Sequence, residues 1–203
     1  MAKRKTTLTP DEAALAKALS GHGMGGSQHV EGGRGVPVLR GDIGMRIARD
    51  GTWFYLGSPI TRKPLVKLFS TVLVRDFDDE FYLVTPVEKC WVSVDDAPFV
   101  AVELYIHGDG RNQSLTFRTN VDDQITVNDA HPIRVTFDLA TAEPSPYVLV
   151  RGRLEALIAR AVYYELAEIG CEHEVDGDQL FGVWSGGAFF PLGRLDEETI
   201  EDA

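Results

Sequence analysis

From about residue 44 to residue 150, apolar residues recur at every second position in short runs, and the runs are cut by residue pairs that belong in tight turns. A period of two puts successive side chains on opposite faces of a strand, so the pattern commits this part of the chain to short, half-buried strands. Asp50-Gly51, between Arg46-Ile47-Ala48-Arg49 and Thr52-Trp53-Phe54-Tyr55, is a type I′ hairpin signal. Further strands are expected over 71–75, 81–84, 89–95, 99–107, 115–119, 124–127, 133–139 and 147–150. Asp78-Asp79 and Asp176-Gly177 mark turns, the latter leading to strands near 182–184 and 188–190. Helical spacing predicts helices over 61–70, with Leu65, Leu68 and Phe69 on one face, and over 153–169, ending at Gly170.

The ends read differently. Thr9 is a good N-cap followed by Pro10, Asp11 and Glu12, which predicts a short helix to about Leu19. Residues 21–35 are glycine-rich with little to bury and read as a flexible linker. Their Gly21-His22-Gly23-Met24-Gly25-Gly26 spells GxGxxG, but a helix rather than a strand precedes it and none follows, so the match carries no dinucleotide site. The expected organisation is a short helix plus linker over 1–43, an N-terminal α+β domain over 44–107, a C-terminal domain over 108–195 and an acidic tail over 196–203. A gapless match joins 92–104 to 125–137: Val94, Asp96, Ala97 and Val102 meet Val127, Asp129, Ala130 and Val135. Both copies read as strand–turn–strand, so the expected fold class is α+β, two small and mostly antiparallel β domains related by duplication, each with a helix.

The formal net charge of −11 opposes binding to a nucleic-acid backbone over most of the surface. No stretch approaches the roughly 20 apolar residues of a membrane span, and no apolar segment follows the basic Met1-Ala2-Lys3-Arg4-Lys5. Two cysteines, Cys90 and Cys171, form no CxxC and no disulfide framework, which with the rest predicts a cytoplasmic protein. Cys90 falls on the apolar side of its strand and reads as a buried, inert thiol.

Several motifs in order resemble a bacterial family of unknown function, numbered 1285. They are Arg49-Asp50-Gly51-Thr52-Trp53, Gly57-Ser58-Pro59-Ile60, 83–89 (LVTPVEK), 94–99 (VDDAPF), 150–157 (VRGRLEAL) and Gly182-Val183-Trp184-Ser185. The resemblance covers roughly 41–195. It implies a duplicated core whose C-terminal half is pleckstrin-homology-like, a ligand site at the domain interface, and a role in signalling; it implies no activity.

GxSxG, Walker A and HExxH are all missing, which weighs against an enzyme. Asp76-x-Asp78-Asp79-Glu80 lacks the glycine and closing glutamate of an EF-hand, and Cys171-Glu172-His173-Glu174 lacks a second ligand pair, so neither a metal nor a cofactor is expected. Glu88-Lys89 and Asp95-Asp96 read as strand-end and turn residues. Two positions break a local rule: Arg62 and Lys63 open the first expected helix, and Arg151 and Arg153 the second, where the helix dipole disfavours cations unless an anion joins them. Trp53 and Trp184 can pack in the core or stack on a base. The expected function is therefore a regulatory module of bacterial signal transduction. It would bind a nucleotide-like or other phosphate-bearing small molecule between the halves, through Arg62, Lys63, Arg151, Arg153, Trp53 and Trp184. The alternatives are a protein-interaction scaffold without a small ligand and an unrecognised enzyme.

Overall fold

The computed structural model describes residues 37–194. The expected helix over 9–19, the glycine-rich 21–35 with its GxGxxG, and the tail over 196–203 lie outside the described residues. The fold is α+β and mostly strand. The first half holds β1 (Val38–Ile47), β2 (Trp53–Tyr55), β3 (Ser58–Pro59), α1 (Lys63–Thr71), β4 (Leu73–Arg75), β5 (Phe81–Val84) and β6 (Glu88–Val94). The second holds β7 (Phe99–His107), a 3-10 turn (Gly110–Asn112), β8 (Ser114–Thr119), β9 (Gln124–Thr126), β10 (Ile133–Phe137), β11 (Pro144–Arg151), β12 (Leu154–Ile158) and α2 (Arg160–Glu168). A three-stranded meander, β13 (Cys171–Val175), β14 (Asp178–Ser185) and β15 (Ala188–Arg194), completes it.

Both six-stranded sheets have one strand order. The first runs β3-β2-β1-β6-β5-β4 and the second β10-β11-β12-β7-β8-β9, so in each half two meanders lie side by side, joined where the first strand pairs with the sixth. That pair is parallel in both. Ala156, Leu157 and Ile158 of β12 ascend with Phe99, Val100 and Ala101 of β7. In the first sheet, Val38 N donates to Val87 O and Asp95 N to Ile47 O, again ascending together. The duplication therefore lies in the topology.

The sequence repeat does not map onto it. The 92–104 copy leaves β6 of the first sheet for β7 of the second, whereas 125–137 joins β9 to β10, the two edges of the second sheet. Both copies are strand–turn–strand, and their likeness is one of local turn chemistry rather than of place. The domain boundary also moves. Strand β1 already runs from Val38, ahead of the expected start at 44, and β7 belongs to the second sheet, so the division falls between β6 and β7 instead of at 107. Among the described residues, one compact unit takes 37–46 and 53–93, and the other takes 47–52 and 94–194.

The expected helix over 153–169 is two elements. Leu154, Ala156 and Ile158 are buried while Glu155 and Leu157 are not, the period of a strand, and β12 sits between β11 and β7. Good helix formers (Leu, Glu, Ala) fill this stretch, and pairing on both sides overrides their propensity. The helix proper starts at Arg160.

At Arg49-Asp50-Gly51 the hairpin is present but its turn is not type I′. Gly51 N donates to Ala48 O at 2.9 Å and only Gly51 has a positive φ, +81°, so a type I turn ends on a left-handed glycine. Leu56-Gly57, Asp176-Gly177 and Gly186-Gly187, each with both residues at positive φ, are type I′ turns.

In the first unit α1 lays Leu65 and Phe69 on the sheet, and the Phe69 ring meets Trp53 at 6.3 Å between centroids. Leu68, expected on that face, is half exposed. In the second unit Phe99, Leu115, Phe117, Ile158 and Leu166 are fully buried. No helix among the described residues is long and apolar enough to cross a membrane.

Candidate functional site

The six residues expected to bind a ligand divide between the two units. Trp53, Arg62 and Lys63 lie in the first. Trp53 is only 1% exposed and packs in the core, so it offers no face for stacking. Arg62 is the N-cap residue of α1, which has no side-chain cap and no acidic residue in its first turn. Trp53 Nε1 and Arg62 Nη1 are buried donors with no hydrogen-bond partner among the described residues. Arg151, Arg153 and Trp184 lie in the second unit. The argument from a helix start fails for Arg151 and Arg153, because they flank Gly152 in the β11–β12 hairpin turn. Arg151 Nη1 donates to Asp123 Oδ2 at 2.7 Å, and its guanidinium lies 5.0 Å from the centre of the Phe99 ring. Trp184 is taken up by neighbours: the His173 ring at 4.9 Å, the Phe189 ring at 5.3 Å and the Arg111 guanidinium at 4.8 Å.

A cavity of about 350 Å³ opens elsewhere in the second unit, where β12 hands over to α2. Its apolar floor is Pro144 and Pro146 of β11 with Leu157 and Ile158 of β12. Arg160, Tyr163 and Tyr164 on the first turns of α2 wall one side, Glu143 another, and Arg49 reaches in from the tip of the β1–β2 hairpin.

Arg49 is held from behind. Its Nε faces Asp96 Oδ2 at 3.1 Å and its Nη2 donates to Ser145 Oγ at 3.2 Å. Asp96 also accepts the Tyr147 hydroxyl at 2.8 Å, and the Arg134 guanidinium stacks over the Tyr147 ring at 4.4 Å. Arg134 in turn makes a two-point pair with Glu155, at 2.9 and 2.7 Å. Asp96 is thus a positioning residue for Arg49, and burial is the main cause that pushes the Tyr147 hydroxyl above its ordinary pKa. The hairpin tip is clamped as well. Asn120 Nδ2 donates to Gly51 O at 3.2 Å and Asn120 Oδ1 accepts Val100 N at 3.1 Å. A Cβ on Gly51 would meet Asn120 Nδ2 at 2.4 Å, so glycine is required for space as well as for its φ.

Across the cavity, Arg160 stands at the first position of α2, where the dipole disfavours a cation. Arg160 Nε donates to the Tyr164 hydroxyl at 2.8 Å, which is the main cause raising its pKa, and Nη1 is 3.8 Å from Glu143 Oε1. Ala159 caps the helix without a side-chain bond, and burial raises the pKa of the Tyr163 hydroxyl.

The lining supplies two guanidinium groups, three hydroxyls and one carboxylate over an apolar floor, with no imidazole or thiol. Such a set can hold an anion with an apolar body; it offers no pair suited to nucleophilic catalysis. Among the described residues no group of His, Cys, Asp or Glu side chains could hold a metal. Cys90 is buried and its thiol is pushed up by desolvation, the unreactive state. Glu88 pairs with Arg40 and Lys89 with Asp76, both as ion pairs. Arg49 had a signal in the sequence, the RDG turn, whereas Arg160, Tyr163 and Tyr164 were hidden inside a helix read seven residues too long at its start.

A model described as "Domain of unknown function (DUF1285), N-terminal domain" matches residues 34–97, and one described as "Protein of unknown function (DUF1285), C-terminal domain" matches 98–192. Among solved structures the chain is similar to the crystal structure of a DUF1285 family protein from Silicibacter pomeroyi DSS-3. The two are 54% identical over 80% of this chain and 86% of that one, with a TM-score of 0.73. It is also similar to the crystal structure of a DUF1285 family protein from Shewanella baltica OS155, 28% identical over 62% of this chain and 91% of that one, with a TM-score of 0.50. No curated protein matches the chain.

Proposed function

The chain belongs to the DUF1285 family, and from that premise we propose that it is a cytoplasmic ligand-binding protein of bacterial signal transduction, holding a small phosphate-bearing or nucleotide-like molecule in the Arg49–Arg160 cavity. The observation that carries this reading is the convergence of two arginines from separate elements, the hairpin tip and the α2 start, over one apolar floor. Planar guanidinium groups bind phosphate in two-point, charge-assisted pairs, and the uncapped N–H groups at the α2 start add donors of the same sign. The 3.8 Å spacing of Arg160 from Glu143 is a loose pair that an incoming anion can replace. Tyr163 and Tyr164 offer ring edges and faces to a flat body. At about 350 Å³ the cavity lies near the lower end of the roughly 300–1,000 Å³ typical of ligand sites, the size of one mononucleotide or less.

The test is a thermal-shift panel of nucleoside monophosphates, cyclic nucleotides and inorganic phosphate on the full chain. A ligand at 100 times its Kd stabilises the protein by about 2.7 kcal/mol. Arg49→Glu and Arg160→Glu should each abolish the shift while Arg62→Glu retains it. The arrangement expected from the sequence makes the opposite prediction, loss on Arg62→Glu and none on Arg49→Glu. No shift with any phosphate-bearing probe would overturn both.

A further inference from the structure

One carboxylate lines the Arg49–Arg160 cavity, on a backbone that the fold holds in place. Glu143 ends the β10–β11 turn, in which Asp138 Oδ1 accepts Ala140 N at 2.9 Å, Thr141 N at 2.9 Å and Thr141 Oγ1 at 3.1 Å. Ala142 N donates to Asp138 O at 2.9 Å. Glu143 N donates to Thr141 Oγ1 at 3.3 Å, and Glu143 O accepts Asp138 N at 3.0 Å. Both main-chain groups of Glu143 are spent inside the turn. The N–H of Thr141 is the main cause that holds the Asp138 carboxyl below its ordinary pKa. A turn stitched in this way keeps Glu143 at the cavity.

Each guanidinium of the cavity already faces a carboxylate. Arg49 meets Asp96 at 3.1 Å, and Arg160 meets Glu143 at 3.8 Å. Arg49 also spends an Nη2 N–H on Ser145, and Arg160 its Nε N–H on Tyr164. What they leave to a ligand is directional rather than net positive. It consists of the remaining guanidinium N–H groups, the uncapped N–H groups at the α2 start and the Tyr163 hydroxyl, which burial keeps from ionising. Donors of this kind suit one negative charge. A second charge would stand near Glu143 with no third cation in the lining, over a floor of Pro144, Pro146, Leu157 and Ile158 that cannot solvate it. The cost of taking an ion out of water grows with the square of its charge, so that floor penalises a dianion far more than a monoanion.

We propose that the cavity selects a singly charged phosphodiester, such as a cyclic mononucleotide, over a doubly charged phosphomonoester, and that Glu143 sets this preference. The inference rests on the reading of the same cavity as an anion site and narrows it. A phosphodiester has two charged oxygens, which share one negative charge, for the two guanidinium groups, while its ester carbons suit the apolar floor. A monoester adds a third charged oxygen and a second charge, which Glu143 repels. The Arg160 and Glu143 side chains are 76% and 66% exposed, so the penalty is that of one screened charge contact, about fivefold in affinity.

The probes are pairs that differ by one charge: adenosine 5′-phosphate and its methyl ester, the guanosine pair, and phenyl phosphate with methyl phenyl phosphate. Each is titrated calorimetrically into the full chain at about pH 8, where the monoester carries two charges. The methyl ester of a pair should bind about fivefold more tightly than the monoester. Glu143→Gln keeps the side chain's size and removes its charge, and should close that gap by strengthening the monoester more than the ester. Were Glu143 only the structural partner of Arg160, the variant would shift both compounds alike and leave their ratio unchanged, which would overturn the proposal. A monoester that binds the parent protein as tightly as its ester, or more so, would overturn it too, while leaving the cavity an anion site. No binding of any probe would overturn both readings. The parent comparison needs no variant, and Glu143→Ala, which keeps the backbone bonds of the turn, replaces Glu143→Gln if that protein fails to fold.

Discussion

The first and second sheets share a strand order but pass from their third strand to their fourth by different routes. In the first half, helix α1 travels from β3 at one edge to β4 at the other, and Phe69 seals the face against Trp53 on the way. In the second half, β9 reaches β10 through a short turn closed by the Asn128–His131 bridge, and the helix comes after the sixth strand instead. Because β12 is central, α2 starts at the middle of the sheet's end, and the hand-over leaves a hollow with polar groups around it. One topology thus yields a closed face in one half and a cavity in the other, according to where the helix is spliced in.

The largest test of that contrast removes the seal. Phe69→Ala should destabilise the protein by roughly 3–5 kcal/mol through transfer and cavity terms together. Leu68→Ala on the exposed side of the same helix should stay within about 0.5 kcal/mol. Urea unfolding of both variants measures the difference, and similar losses would mean that α1 does not cover the sheet through Phe69.

Next comes the clamp on the hairpin tip. Gly51→Ala puts a Cβ against Asn120 at a φ that alanine adopts poorly, and should cost roughly 1–3 kcal/mol. It should also lower affinity for any phosphate probe by displacing Arg49, an effect absent if the cavity is not the site. Arg151→Glu sharpens the comparison between basic positions singled out in the sequence and those lining the cavity. It sets a carboxylate against Asp123 in a partly exposed pair and should cost about 1 kcal/mol, while leaving phosphate binding unchanged.

The smallest effect concerns the solvent face of the second sheet. Hydrogen bonds from Arg118 and then Tyr105 lower the Glu103 pKa to about 2. A carboxylate depressed from its unfolded value of about 4.3 stabilises the fold above that pH and loses the contribution as pH falls through the folded value. Glu103→Gln should therefore lower the urea midpoint near neutral pH and converge with the parent protein near pH 2. A gap that persists in acid would show that the loss is one of shape rather than charge.

Most strands could be read because a buried face imposes a period of two that survives without knowledge of neighbours. β7 was placed over 99–107, where it is found, and the Asp176-Gly177 turn likewise. The errors fall where a neighbour decides. Residues 154–158 look helical by propensity and become a strand because β11 and β7 both pair with them. Trp53 could be core or platform in the sequence; the approach of Phe69 decides. Of the cavity, Arg49 stood inside a motif of the family resemblance, while Arg160, Tyr163 and Tyr164 carried no mark that set them apart from a helix surface.

The sequence by itself determined the α+β class, the family and most of the strands (β3, β12 and β13 being missed), since each rests on local periodicity, turn chemistry or ordered motifs. Tertiary structure alone decided the shared strand order of the two sheets, the parallel join in each, and the placing of Arg49 and Arg160 on one cavity. Those depend on pairing between segments tens of residues apart, Phe99 with Ala156 or Gly51 with Asn120. Such pairings are selected by the fit of whole surfaces, which no short window of sequence contains.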